Sequence, residues 1–330
     1  MEITIVSIIR QGGRNTRYLV KTEEGNWGSI KAMTGKYEKG NKYNITETID
    51  CDEKWYRNYN NWKATKQKIL QHLTKYKQEK LGIPEDGYWI NQEGERIDYQ
   101  HILPDEKILE NLISSNYLSD MKKEFDKKEA FIHPGFKNLN SSQAFAFNFF
   151  QPIIRENLFY KFLHKDILKG KEIKYEYEKT NEEDTQFDFY IRCEEFAASF
   201  EVKYTEDSFG TADYDSHKDK WEKTYKDKVV KLLGKDCLTP EQFFENYQIW
   251  RNILFTLENN HHTYFIFPRF RDKDLTPVLL EILNEHEQLK ERVSWLYVDD
   301  LVDEILKNEE YSADLKNHYQ EFKVKYLDYE

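Results

Sequence analysis

Phe187-Asp188-Phe189-Tyr190-Ile191 and Phe200-Glu201-Val202-Lys203-Tyr204 decide how this chain is read. Side chains alternate faces along a strand. In the first stretch Phe187, Phe189 and Ile191 share an apolar face, and Asp188 takes the other. In the second, Phe200, Val202 and Tyr204 share one face, and Glu201 and Lys203 the opposite one. The intervening segment is short, so an antiparallel hairpin is the economical reading. A turn centred between Glu194 and Glu195 sets Asp188 directly opposite Glu201. Directly opposed Cβ atoms lie about 4.5–5.5 Å apart, where two carboxylates repel. A divalent cation between them reverses that sign, because Mg²⁺ prefers carboxylate and water oxygens. Lys203, one step along the same face, can neutralise charge on a phosphate transition state or position an attacking water. A solvent-facing strand pair carrying Asp, Glu and Lys is also common, and spacing alone leaves both readings open. The apolar reverse faces and the acidic segment Thr205-Glu206-Asp207-Ser208-Phe209-Gly210 favour the site.

Around this hairpin the pattern is mixed. Asn140 or Ser141 suits an N-cap, followed by the apolar helix Ala144-Phe145-Ala146-Phe147-Asn148-Phe149-Phe150. Pro152 is expected to kink or split that helix. Strands are expected at Ile173 to Glu178, Phe187 to Ile191 and Ala198 to Tyr204, and later at Thr263 to Phe267 and Ser294 to Val298. Helices are expected between and after them, from His217 to Leu233, Pro240 to Asn259, Leu275 to Leu289 and Asp300 to Tyr326. Such a mixture predicts an α/β domain over 130–330 with a central mixed sheet flanked by helices. Residues 65–129 read as a mostly helical connector with a hairpin at Tyr88-Trp89-Ile90 and Ile97-Asp98-Tyr99. Gly210 to Asp219 gathers Asp213, Asp215, His217 and Asp219, either as a metal loop or as a solvated one. No phosphate-binding GxxxxGK[ST] loop occurs, so ATP is not expected.

Residues 1–64 differ. Short strands at near-regular spacing, ending in Trp55-Tyr56-Arg57-Asn58-Tyr59-Asn60-Asn61-Trp62-Lys63, predict a small all-β module of the OB-fold kind. Trp27, Tyr37, Trp55, Tyr56, Tyr59 and Trp62 are interleaved with basic residues. Bases of a single strand stack on such rings while Lys and Arg hold phosphates, at about 1–3 kcal/mol per stack. The same rings would equally fill a barrel core. The chain carries 49 Lys and Arg against 60 Asp and Glu, a formal −11. Residues 1–80 hold 16 basic against 9 acidic side chains, a balance of +7, which leaves −18 for the rest. That split suits a basic, substrate-facing module beside an acidic body, or a solvated lysine-rich surface.

No stretch of about 18 apolar residues suggests a membrane span, and the N-terminus lacks the features of a signal peptide. Three scattered cysteines, Cys51, Cys193 and Cys237, fit a reducing cytoplasm and exclude a Cys-based zinc knuckle.

Asp188, twelve intervening residues and Glu201-Val202-Lys203 resemble the Asp…Glu-x-Lys signature of the PD-(D/E)XK nuclease superfamily. The wider context resembles a bacterial restriction-endonuclease-related branch. Asn140-Ser141-Ser142-Gln143-Ala144-Phe145 with Asn148 and Pro152, the run Glu201 to Gly210, and Trp250-Arg251-Asn252 carry that likeness. It covers roughly residues 130–300 and departs from the signature where Phe187 replaces the Pro before Asp188. The resemblance implies a restriction-endonuclease-like fold and phosphodiester hydrolysis with Mg²⁺, Mn²⁺ substituting. Asp188, Glu201 and the Val202 carbonyl would hold the metal, and Lys203 would be the catalytic lysine. Gln143, Trp27, Trp55 and Trp62 are the expected nucleic-acid contacts, with Glu156 a further group on the helix of Gln143. The expected partner is nucleic acid, DNA before RNA, with a homodimer or a defence-system protein as further partners. The alternative is a catalytically inactive nuclease fold that binds nucleic acid or a protein. On the sequence alone, Lys203→Ala is expected to remove cleavage and leave the fold nearly intact.

Overall fold

Regular patterning of apolar residues sets each element of the computed structural model, which describes all residues except 1, 13–14, 24–26, 34–35, 46–52, 92, 127–131, 181–185, 259 and 330. The chain opens with β1 (Glu2–Gly12), β2 (Asn15–Thr22), β3 (Trp27–Met33) and β4 (Lys42–Asn44), then α1 (Glu53–Glu79) and the pair β5 (Gly87–Ile90) and β6 (Arg96–Tyr99). Helices α2 (Ser119–Asp126), α3 (Ser142–Arg155) and α4 (Phe159–Phe162) lead to β7 (Lys174–Thr180), β8 (Gln186–Arg192) and β9 (Ala197–Val202). Next are α5 (Tyr214–Lys220), α6 (Lys226–Leu233), α7 (Pro240–Glu245) and α8 (Tyr247–Ile253), then β10 (His261–Phe267), α9 (Asp272–Glu285), β11 (Val293–Tyr297), α10 (Val298–Lys307) and α11 (Ala313–Tyr326). The chain divides into two compact units. One comprises Met1–Lys63, Asp207–Leu257 and Lys273–Gln288, and the other Ala64–Glu206, Glu258–Asp272 and Leu289–Glu330.

In the first unit β1 to β4 form one antiparallel sheet in the order β3-β2-β1-β4. Its buried face is the alternating set Ile3, Ile5, Tyr18, Val20 and Ile30, capped by Tyr37 and Ile45. The fifth strand expected at Trp55 to Lys63 is not a strand; that segment is helical and belongs to α1. Four strands and a helix therefore stand where a five-stranded barrel was expected. The error is one of periodicity. Trp62, Ile69, Leu73 and Tyr76 are all buried, and their spacing of seven, four and three residues is a helical stripe. Of the rings expected to stack on bases, Tyr37 and Trp62 are buried, so they pack inside and offer no stacking face. The side chains of Trp27, Trp55, Tyr56 and Tyr59 lie outside the described residues. An aromatic cluster also marks this unit: a π-helical turn at Trp221–Tyr225 joins α5 to α6, and Trp221 and Tyr225 pack on Phe243 at 5.3 and 4.8 Å.

The second unit is built on the five-stranded mixed sheet β11-β10-β9-β8-β7. Strands β7, β8 and β9 pair antiparallel, while β9, β10 and β11 run parallel. Helix α3 begins where Ser141 accepts the N–H of Ala144, and it continues through Pro152 without splitting. The chain turns afterwards, at Asn157 with φ +52°. Phe150 of α3 stacks on Phe189 of β8 at 4.2 Å and packs on Phe200 of β9 at 5.2 Å, which fixes this face of the sheet as the core. Asn148, Lys325 and His318 in that core are hydrogen-bonded, as burial demands. The two hydrogens of the Asn148 amide are shared among the carbonyls of Ala144 and Asn111 and the hydroxyl of Tyr326, all within 3.0 Å of its nitrogen, while its oxygen accepts the Ile113 N–H. Buried Lys325 donates to Asn111 Oδ1 at 2.7 Å. His318 bridges Ser115 at 2.8 Å and the Asn148 carbonyl at 2.7 Å.

Replacing Phe150 with Ala should therefore destabilise the fold by about 3–5 kcal/mol, the scale of a large aromatic lost from a close-packed core. Urea unfolding checks this, and a cost within error of zero would contradict the packing described. Burial holds His318 down to about 4, against the upward pull of its bond to the Asn148 carbonyl. The unfolded value is about 6.5, so His318's contribution is complete above pH 6.5 and is lost as pH falls toward 4. Unfolding free energies measured over that window should fall more steeply for the wild type than for His318→Gln.

Candidate active site

Strand β8 breaks its own alternation at Asp188. Its register with β9 runs from Arg192↔Ala197 to Phe189↔Phe200, and one step further would oppose Asp188 to Glu201, the register expected from a turn centred between Glu194 and Glu195. The ladder ends there because the Val202 N–H donates to the Asp188 carboxylate at 2.7 Å. Phe187 also leaves the face of Phe189. Its ring stacks with Tyr190 (6.3 Å, 18°) and lies 6.3 Å from that of His261, whereas Phe189 faces α3. The expectation that Phe187, Phe189 and Ile191 share one face is corrected accordingly. A carboxylate closing a ladder in place of a carbonyl fixes Asp188 at the end of the paired strands.

Glu201 and Lys203 follow on β9 and its exit. The Lys203 ammonium sits 2.7 Å from Glu201 Oε1, and both side chains are 6% exposed. Burial alone would lower the lysine's pKa, but the carboxylates of Glu201, Glu206 and Asp188 outweigh it and hold the ammonium above its usual range. The protein's own lysine thus supplies a positive charge beside Glu201.

The strand exit is held in part by Arg271, which the sequence did not mark. Arg271, fully buried, donates to the carbonyls of Tyr204 at 2.8 Å and Glu206 at 2.7 Å. Glu206 turns back to accept the Tyr204 N–H at 2.7 Å, Lys203 N–H is bonded to Ile266 O of β10 at 2.8 Å, and Asn140 donates to Thr205 Oγ1 at 2.7 Å. The run Pro268-Arg269-Phe270-Arg271 after an apolar strand was the available hint, since a buried Arg must find carbonyls or carboxylates.

Other expected site residues are placed as follows. Gln143 is buried in the first turn of α3, with its amide oxygen accepting the His133 N–H at 3.0 Å. Glu156 caps the end of α3 and accepts from the Tyr117 hydroxyl. Asp213 caps α5, accepting from Ser216 N and Oγ, and Asp215 pairs with Lys218 at 2.6 Å, so both serve the helix start, while Asp219 pairs with Lys223 at 3.1 Å. Trp250, Arg251 and Asn252 lie on α8 in the first unit, with Arg251 over the ring of Tyr247 at 5.0 Å.

The donor set suits a hard divalent cation, since carboxylate and carbonyl oxygens are what Mg²⁺ and Mn²⁺ bind. A carboxylate has about four lone-pair directions, so it can accept from an N–H or ammonium and also bind a cation. Among the described residues no three acidic, His or Cys side chains converge as a metal cage. Mg²⁺ commonly keeps several waters and takes only one or two carboxylates.

The model of a protein family described as Restriction Endonuclease associating with ARP matches residues 70–327. The chain belongs to this family. The match takes in the whole of the five-stranded sheet and every residue of the candidate site, and it makes the protein nuclease-like. No curated protein and no solved structure shows significant similarity to the chain.

Breaking a buried ion pair from one side leaves an uncompensated charge, at about 3–5 kcal/mol. Lys203→Met or Glu201→Gln alone should each destabilise the protein on that scale. The double variant should recover most of the loss, giving a coupling energy well above the 0–1 kcal/mol of exposed pairs. The fold is thus expected to feel Lys203→Ala, contrary to the reading from sequence. A double-mutant cycle by chemical unfolding measures it, and additive single effects would contradict the pair.

Proposed function

We propose that this family member is a metal-dependent nuclease hydrolysing phosphodiester bonds, with DNA its substrate before RNA. The observation that carries the reading is the buried Lys203–Glu201 ion pair beside Asp188, whose carboxylate accepts the Val202 N–H at the end of the β8–β9 ladder. Asp188, Glu201 and the Val202 carbonyl would hold a Mg²⁺ or Mn²⁺ ion. Bound there, such an ion supplies Lewis acidity and a water of lowered pKa. The protein's own contributions are positional. The Val202 N–H orients Asp188, Arg271 shapes the backbone that carries Lys203 and Glu206, and Lys203 brings a fixed positive charge to the phosphoryl oxygens where negative charge develops. Glu201 and Lys203 form the floor of the site, while Asp188 and Glu206 are more exposed and line the approach.

The basic N-terminal module, residues 1–64 in this reading, would add phosphate contacts and make binding salt-sensitive. A role in bacterial defence within the cytoplasm fits a restriction-endonuclease family. No helix among the described residues is long and apolar enough to cross a membrane.

A cleavage panel over single- and double-stranded DNA and RNA, with Mg²⁺, Mn²⁺ or EDTA, tests the proposal. Metal-dependent cleavage of at least one substrate is expected. Asp188→Asn should lower it by about a hundredfold or more, the scale of losing one group that stabilises transition-state charge. Cleavage that survives both EDTA and Asp188→Asn would overturn the assignment. Substrate binding without any cleavage would leave a nuclease fold that only binds.

A further inference from the structure

Among the described residues, four of the eight large apolar side chains that stand exposed lie on one hairpin, β5–β6: Trp89 (38%), Ile97 (38%), Tyr99 (37%) and Ile90 (48%). Trp89 pairs across the hairpin with Ile97, and Tyr99 follows two residues on, so these three share one face. Apolar exposure gathered in one place marks an interaction surface more than apolar residues scattered singly do.

The hairpin is held in place from its base and its other face. Buried Lys77 donates to the Glu85 carbonyl at 2.6 Å, to Asp86 at 3.2 Å and to the Ile102 carbonyl at 3.2 Å. Gly87 lies so close to the backbone that a Cβ there would stand 2.2 Å from the Leu103 carbonyl oxygen. Tyr88 packs between Arg96 and Lys137, both about 4 Å from its ring centre, and its hydroxyl donates to Asp105, which also receives Lys137. A surface so fixed binds without first being ordered, which lowers the entropic cost of association.

Charge selects the occupant. Of the acidic residues from Glu85 to Asp98, Asp86 is paired with Lys77 and Asp98 with Arg96, and Glu85, Glu93 and Glu95 add negative charge, the last two exposed at the tip. Phosphate backbones are repelled by such a rim. A second copy joined face to face would set two acidic rims against each other. We propose that the β5–β6 hairpin docks a protein partner that presents an apolar cleft rimmed by Lys or Arg. This surface does not depend on the nuclease reading.

Two synthetic peptides sharing one alternating Leu pattern, with Lys or Glu at every polar position, serve as probes in fluorescence anisotropy with the full-length protein. The Lys peptide should bind and the Glu peptide should not. The Lys peptide should bind at least about tenfold more weakly to Trp89→Ser/Ile97→Ser and to Glu93→Lys/Glu95→Lys, a loss of about 1.4 kcal/mol. Unchanged thermal unfolding confirms that these surface variants fold, and the charge-reversal pair stands if the apolar pair does not. Absent binding, equal binding of both peptides, or binding that ignores the substitutions would overturn the proposal. So would oligo(dT) binding lost in Trp89→Ser/Ile97→Ser, which assigns the face to nucleic acid. Self-association in sedimentation that the same variant abolishes assigns it to a second copy, and overturns it equally.

Discussion

The ion pair between Lys203 and Glu201 is the interaction on which the second unit turns. Two charges taken out of water are costly unless geometry and further hydrogen bonds compensate them. Much of the local structure does that work. The Lys203 N–H is tied to β10, Arg271 binds the carbonyls on either side of Thr205, and Glu206 folds back on Tyr204. Asp188 ends the β8–β9 ladder by receiving the Val202 N–H. The sheet thus brings Lys203 against Glu201 and Asp188 against Val202, while the opposite face is locked by Phe150 on Phe189 and Phe200.

Asp188 and Glu201 offer carboxylate oxygens and Val202 a carbonyl, the kind of donor that a hard divalent cation takes. The family assignment agrees in kind, because it makes the chain nuclease-like and covers each of these residues.

The sheet was legible because strands and helices there have strong and different periods. Phe-Glu-Val-Lys-Tyr alternates cleanly and the link to Phe-Asp-Phe-Tyr-Ile is short, so the antiparallel pairing of β8 with β9 could be read, while its register rested on an assumed turn between Glu194 and Glu195. The N-terminal region misled for the same reason in reverse. Trp55 to Trp62 mixes aromatic and polar residues in a way that suits either period, and only the run from Trp62 to Tyr76 discloses the helix. The break in alternation at Asp188 was invisible, since a side chain that replaces a backbone acceptor leaves no mark in the pattern. Arg271 lies far from Lys203 in sequence, and its role depends on β9 and β10 being parallel neighbours. The polar core around Asn148 and Lys325 was likewise unreadable, because single buried polar residues have no period.

Direct binding of Mn²⁺, followed by electron paramagnetic resonance as the free-ion signal is lost, tests the central claim without requiring a substrate. The wild type should bind the ion, and Asp188→Asn and Glu201→Gln should each weaken that binding by at least about tenfold, or about 1.4 kcal/mol. Wild-type affinity retained in both folded variants would show that these carboxylates do not form a metal site.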